Sequence, residues 1–241
     1  TVNAKNVVIT GAGDDSLDWT DGWQGNLQYA VVYSDVPTSG DPRGIEADNR
    51  DGDNDKTPFS SPNLANFTLI GTSGNQAGIL LRRGTRGTVV NGIVAGGYTP
   101  GLDIDSSQTY TNLNDGTLNV ASLFIDAAQT LTSDSDDGPL ATYAAANNIV
   151  GGENSLQDRF FPGAEELAVP ASNALDGNTF FDDANYVDAF SSNESIGSNW
   201  ATFAQPGTLF PPVDCPTGTT ENGTLDGKRL CEIPGGNLTS N

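Results

Sequence analysis

Ser16-Leu-Asp-Trp-Thr-Asp21, Gly44-Ile-Glu-Ala-Asp-Asn49, Gly78-Ile-Leu-Leu-Arg-Arg83 and Gly101-Leu-Asp-Ile-Asp-Ser106 can be written under one another. Each carries two apolar residues two apart: Leu17/Trp19, Ile45/Ala47, Ile79/Leu81 and Leu102/Ile104. That period sets both on one face of an extended segment, so these are inward positions of short strands. Between the blocks recurs a second unit, in which Asn precedes an apolar run and Gly closes it: Asn6 to Gly11, Asn66 to Gly71, Asn91 to Gly96. Gln28 to Tyr33 and Asn119 to Phe124 read as looser copies. The two units alternate through about residue 125, with copies roughly 22 to 38 residues apart, a solenoid spacing.

One such coil cannot bury its own apolar face. Stacked coils place each Leu, Ile or Val on its counterpart in the next and make a continuous interior. The pattern predicts an all-β chain, a parallel β-helix, with the right-handed crossovers that parallel strands adopt. Asn at one corner of successive coils is expected to form a ladder, each amide bonding to the Asn above and below.

The expected organisation is coils over residues 1–152, with inserts at 34–43, 50–63 and 105–117, and an irregular region over 153–241. Pro139 to Asn147 reads as a short helix and Asn148 to Gly152 as a last strand. Beyond residue 153, aromatics such as Phe160, Phe161, Phe180, Phe181, Phe190, Trp200 and Phe203 lie among Pro, Gly and Asn. They are expected to cap the open end of the helix, where strand edges and core would otherwise be bare.

The composition of 241 residues, with 29 Gly, 13 Pro and 36% apolar residues, fits a strand-and-turn domain with a sizeable core. No apolar stretch approaches the roughly 20 residues of a membrane-spanning helix. The chain begins inside a strand pattern with no initiating Met, which leads us to expect residues upstream. The net charge of −21 repels nucleic acid and anionic membranes and makes both improbable partners. Cys215 and Cys231 are the only cysteines, and a disulfide between them is expected, pointing with the absence of His and Met to an exported, oxidising setting.

The run Gly13 to Val32, followed by Arg43 to Asn49, Asn63 to Gly71 and Gly78 to Arg83, resembles a group of bacterial exported proteins, often lipoproteins. These carry a pectate-lyase-like right-handed β-helix. Tyr186 to Phe190 and Trp200 to Phe203 are similar to the ends of the same proteins, so the likeness spans most of the chain. It implies the fold and an extracellular or cell-surface location. It implies no reaction, since sites are argued separately from folds.

Two constellations bear on chemistry. Outward positions of the first unit align as Asp18, Glu46, Leu80, Asp103 and as Thr20, Asp48, Arg82, Asp105. With neighbouring strands about 4.8 Å apart, carboxylates at adjacent levels either repel or share a cation. Calcium, a hard ion with oxygen ligands, is expected in the insert at Asp48, Asp51, Asp53 and Asp55, and more weakly at Asp134, Asp136 and Asp137. The insert is not an EF-hand, because Lys56 and Pro62 stand where Gly and the bidentate Glu belong.

Gly13-Asp-Asp-Ser-Leu-Asp18 also resembles the paired-aspartate strand of polygalacturonase-type glycosidases, which makes Asp14, Asp15, Asp18 and Glu46 alternative catalytic residues. The other elements of that family are missing. There is no His for a Gly-His-Gly element and no Arg-Ile-Lys, and Arg82, Arg83 and Arg86 titrate too high to act as bases. Those arginines are expected to neutralise the acidic columns. Sequons at Asn66, Asn193, Asn222 and Asn237 are silent in a bacterial setting.

The sequence thus predicts a non-enzymatic, exported structural or adhesive protein, calcium-stabilised, that associates with itself or with extracellular glycan or matrix. The alternative is a carbohydrate-active or carbohydrate-binding protein using the acidic face.

Overall fold

The structure, a computed structural model, describes residues 2–34, 40–133 and 137–192 and the backbone of 220–225, 228–232 and 238–240. Side chains are described for 2–34, 40–133 and 139–192. In chain order the coils run β1 (Ala4–Thr10), β2 (Leu17–Trp19), β3 (Asn26–Ser34), β4 (Ile45–Asp48), β5 (Asn63–Gly71) and β6 (Ile79–Arg82). They continue as β7 (Gly87–Gly96), β8 (Leu102–Ile104), α1 (Ser107–Asp115), β9 (Leu118–Ile125), β10 (Leu131–Ser133), α2 (Asp137–Ala146) and β11 (Ile149–Gly151). Successive strands alternate between two parallel sheets, one of six strands in the order β1-β3-β5-β7-β9-β11 and one of five in the order β2-β4-β6-β8-β10. This is the parallel β-helix that the two alternating sequence units encode.

In the five-stranded sheet the register stacks Leu17, Ile45, Ile79, Leu102 and Leu131 in one file, and Trp19, Ala47, Leu81, Ile104 and Ser133 in another. Ile45, Ala47, Ile79 and Leu81 are completely buried. The fifth strand, β10, belongs to a copy that the alignment of blocks omits, because Leu131-Thr-Ser133 lacks both the opening Gly and a second apolar residue.

The recurrent Gly that opens this unit has a steric cause. A Cβ on Gly78 or Gly101 would run into Val94 or Ile125 at 2.2 Å, and one on Gly44 would meet the Gly78 carbonyl at 2.5 Å and Leu69 at 3.0 Å. Leu69, Val94 and Ile125 are themselves stacked in register in the six-stranded sheet. The small residue therefore sets how closely the two sheets approach at that corner.

The recurrent Asn has a conformational cause. Asn6, Tyr29, Asn66, Asn91, Ser122 and Asn148 all have positive φ, between 55° and 61°. They occupy one level of the six-stranded sheet, since the residues flanking them pair in register. Asn tolerates this left-handed conformation better than most side chains. The extra residue resets the alternation, so Leu64 before it and Phe67 and Leu69 after it all enter the same core. The looser copies are accordingly registered on Tyr29 and Ser122, one and three residues beyond Gln28 and Asn119, because backbone geometry rather than an amide defines the position.

Of the expected ladder one rung forms, Gln28 Nε2 donating to Asn66 Oδ1 at 3.1 Å, and the other bonds of Asn66 and Asn91 go elsewhere. Asn66 Nδ2 donates to the Tyr186 carbonyl at 2.9 Å, and Asn91 Nδ2 donates to the Ser172 carbonyl at 3.0 Å while its Oδ1 accepts from Ser172 N–H at 2.7 Å. They fasten a later segment of chain. That segment, residues 154–190, lies along the outer face of the six-stranded sheet rather than across an end of the solenoid. It includes α3 (Ala164–Leu167) and is referred to below as the strap. Phe160, Phe161, Val169, Val187 and Phe190 form a second buried cluster with the outward Val31, Tyr33, Ile70, Ile93 and Phe124. The aromatics of the strap are there because a sheet with apolar residues on both faces needs a cover on each.

The insert 105–117 contains α1, which ends at Gly116 in the left-handed conformation. It packs Leu113 into the main core and donates from Asn112 Nδ2 to the carbonyls of Gly84 and Thr85. Farther on, β12 (Thr220–Leu225), β13 (Lys228–Glu232) and β14 (Leu238–Ser240) form a separate antiparallel sheet. The expected Cys215–Cys231 disulfide lies outside the described residues, as do the side chains of Asp134, Asp136 and Asp137 and the aromatics Trp200 and Phe203.

Candidate functional site: the acidic face of the five-stranded sheet

Because alternate residues of a strand face opposite ways, Asp18 of β2, Glu46 of β4 and Leu80 of β6 project outward where Leu17, Ile45 and Ile79 project inward. The register places Asp18 beside Glu46 and Asp48 beside Arg82. The columns read from the sequence are therefore real, and the structure brings Asp15, Asp18, Glu46 and Asp48 to one surface.

Arginine laces that surface together. Arg82 donates from Nε to Asp48 Oδ1 at 2.8 Å and lies 2.8 Å through Nη2 from Glu46 Oε1. Arg83 Nη1 contacts Asp48 Oδ2 at 2.7 Å and its Nε lies 3.4 Å from Asp51. Arg43 reaches Glu46 at 3.2 Å and Asp15 at 3.6 Å, and its Nη2 donates to Gln76 Oε1 at 2.9 Å. Side-chain exposure is only 8% for Asp48, 12% for Arg43 and 15% for Glu46, so these pairs are screened far less than surface ion pairs. Each guanidinium spans two or more coils. Arg86, the third member of the basic cluster, instead lies over the Phe59 ring at 3.4 Å from its centroid.

Asp14 and Asp15 are used by the backbone. Asp14 Oδ1 accepts the Asp41 N–H at 2.9 Å and Asp15 Oδ1 accepts the Arg43 N–H at 3.0 Å, so the pair holds the segment entering β4. Burial raises Asp15 above the usual aspartate range, and the Arg43 guanidinium opposes it. Burial likewise raises Asp18, aided by the charge of Asp48. Glu46 is raised by burial first and by Asp15 second, against the pull of Arg82 and Arg43. Three adjacent carboxyl groups therefore hold their protons more tightly than free ones do.

The insert after β4 is organised by an amide. Asn49 is buried, and its Nδ2 donates to the carbonyls of Asn54 and Lys56 at 2.9 and 3.0 Å while its Oδ1 accepts the Ser60 N–H at 2.8 Å. Asp51 and Asp53 lie on the exposed side of this turn, and Asp48 faces Arg82 and Arg83. Among the described residues no three acidic, His or Cys side chains are grouped so that they could hold a metal ion.

Sequence reasoning missed Arg43 and Asn49 as organisers. The available signal was position: Arg43 immediately precedes the repeat glycine Gly44, and Asn49 ends the same block. At the first coil, Leu17, Trp19, Trp23, Leu27 and Val7, with Asp18 of the acidic face, line a mostly apolar cavity of about 420 Å³ beside β1 and β2. Among the described residues no helix is long and apolar enough to cross a membrane.

No curated protein and no solved structure matches the chain. A family model described as a pectate-lyase like beta helix domain matches residues 1–158, over the coils and the start of the strap. The parallel strands, the stacked files of Leu, Ile and Val and this match lead to one conclusion: the chain belongs to the pectate-lyase-like β-helix domain family.

Proposed function

We propose that the protein is a non-enzymatic structural element acting outside the cell, a rigid rod whose acidic face is a laced surface rather than a reaction centre. The observation that carries this reading is the commitment of Glu46 and Asp48 to Arg43, Arg82 and Arg83. A general acid and base need freedom to exchange protons with a substrate. Here Arg43 instead joins Asp15 to Glu46 of the next coil, and Arg82 and Arg83 tie the β4 coil to the one after it, which resists unwinding of the solenoid. An acidic, hydrated surface suits contact with extracellular glycan or matrix. The apolar cavity beside β1 and β2 suits edge-to-edge pairing with a second copy, a contact measurable as concentration-dependent mass in solution.

Purified protein incubated with polygalacturonate and other acidic and neutral polysaccharides is expected to release no reducing ends and no unsaturated products. Turnover that Asp18→Asn abolishes would overturn the proposal. It would favour the second reading, a carbohydrate-active protein, for which the raised proton affinity of Asp15, Asp18 and Glu46 is the supporting observation.

Calcium enters the proposal only through the exposed turn after β4. Since Arg82 and Arg83 neutralise Asp48 and Asn49 fixes the turn, we infer that arginine and amide take the place expected of the ion. Calorimetric unfolding should be the same with calcium and with EDTA; a chelator-dependent fall in Tm would reinstate the metal.

A further inference from the structure

The strap is held at one point by an acid that has no business being charged. Asp188 is fully buried. Its Oδ1 accepts the Thr68 hydroxyl of β5 and the Phe190 N–H at 3.2 Å. Thr68 Oγ1 in turn accepts the Ala189 N–H at 3.1 Å, and the Asp188 N–H donates to the Asn91 carbonyl at 3.3 Å. The second carboxyl oxygen, Oδ2, is buried without a hydrogen-bond partner among the described residues. The backbone of Asp188 has φ 136°, a value that L side chains rarely adopt and that its neighbours must impose.

Among the described residues no cation is paired with it. The cluster about it is Val187, Phe160, Phe161 and Phe190 from the strap and Ile70 and Ile93 from the sheet. Glu166 of α3, also fully buried, is the charged group that acts on Asp188, and it acts against ionisation. Glu166 is itself provided for, accepting from Ser155 N–H and Oγ at 2.7 Å each and from Gly163 N–H at 2.9 Å. The cation of the region, Arg159, lies over the Tyr33 ring at 4.7 Å from its centroid, and its buried Nη1 has no hydrogen-bond partner among the described residues, Asp188 included. A neutral carboxyl leaves a hydroxyl unmatched at this place, whereas a carboxylate leaves a whole charge unmatched, which is far more costly.

We propose that Asp188 makes the strap an acid-fastened cover, closed on the six-stranded sheet while the carboxyl keeps its proton and lifting from it when the proton is lost. Lifting would bare Val31, Ile70, Ile93 and Phe124 of the six-stranded sheet. The direction follows from linkage. Burial, the largest cause, and Glu166 raise the folded-state value well above the ordinary 3.8, against the hydrogen bonds from Thr68, Phe190 and Ala189. The closed state is therefore most favoured below that ordinary value. It loses stability as pH rises from there toward the folded-state value, by about tenfold in the closed-to-open ratio per pH unit.

The test is amide hydrogen exchange on the whole chain between pH 4.5 and 8, corrected for the intrinsic rate. Protection at Ala189 and Phe190 is expected to fall at least about tenfold relative to β5 as pH rises, and Asp188→Asn is expected to abolish that dependence. Equal slopes in the two proteins, or a wild type with no slope, would overturn the proposal. Carbon-detected NMR titration of Asp188 in the unmutated chain gives a reading even if the variant does not fold. A midpoint in the ordinary aspartate range would equally overturn it.

Discussion

Gly92 pairs with Phe67 on the neighbouring strand of the six-stranded sheet, at the level where both face the core. A Cβ on Gly92 would come closer than 3.0 Å to three atoms of the Phe67 ring, a separation real Cβ atoms essentially never show. Phe67 is completely buried, so its ring has no solvent to move into. Gly92 has no positive φ, and Gly92→Ala therefore tests sterics alone. Overpacking of this kind costs about 1–3 kcal/mol. At about 2–4 °C per kcal/mol for a chain of this size, calorimetry should show Tm lowered by about 2–12 °C. Gly13→Ala is the control, because nothing lies within 4 Å of its Cβ position. Trimming the ring in Phe67→Leu should relieve the clash, so the double variant should lose less than the sum of the single losses. A Gly92→Ala protein with unchanged Tm, or strictly additive losses, would refute the register on which the whole coil assignment rests.

Arg82→Ala removes the partner of both Glu46 and Asp48 and should destabilise the protein by about 1–3 kcal/mol, less than for a fully buried pair because the arginine is partly exposed. Chemical denaturation measures it, and no loss would mean the lacing is ornamental. Thr85→Val leaves the buried Trp19 Nε1, now donating at 3.1 Å to Thr85 Oγ1, without an acceptor, at a cost of about 1–3 kcal/mol in the same assay. Asp15, Asp18 and Glu46 are all raised by burial, so each opposes folding increasingly as pH climbs from the ordinary carboxylate range toward its folded-state value. Thermal melts across pH 4 to 7 should therefore fall more steeply for the wild type than for Asp18→Asn. Parallel curves would count against that burial.

Four of the five strands of the five-stranded sheet could be read almost residue by residue, because they obey period two and three of them follow a glycine where a Cβ would clash; β10 escaped because it has neither signal. The six-stranded sheet was legible in outline only. Its left-handed level accepts Tyr29 and Ser122 as well as Asn, so residue identity marks it incompletely. The strap was misplaced for a different reason. Aromatics announce burial but not against what, and only the outward Val31, Ile70 and Ile93 hint that this sheet has two apolar faces. Among the site residues, the outward alternation placed Asp18, Glu46 and Asp48 correctly. The arginines' partners depended on reach across coils, which a long, flexible side chain leaves open.

The corner glycines and the left-handed level together fix the two sheets without reference to what joins them. The β4–β5 connection takes residues 49–62 and the β6–β7 connection only 83–86, yet the strands on either side keep one register. Most of the interior is consequently written in the strands, with connector residues such as Thr85 and Leu113 reaching it. Connectors of other lengths and chemistries are accommodated where they keep the few inward anchors, such as Thr85 beneath Trp19 and Asn49 beneath Ser60, so the rod is a mounting rail whose loops vary between fixed bolts.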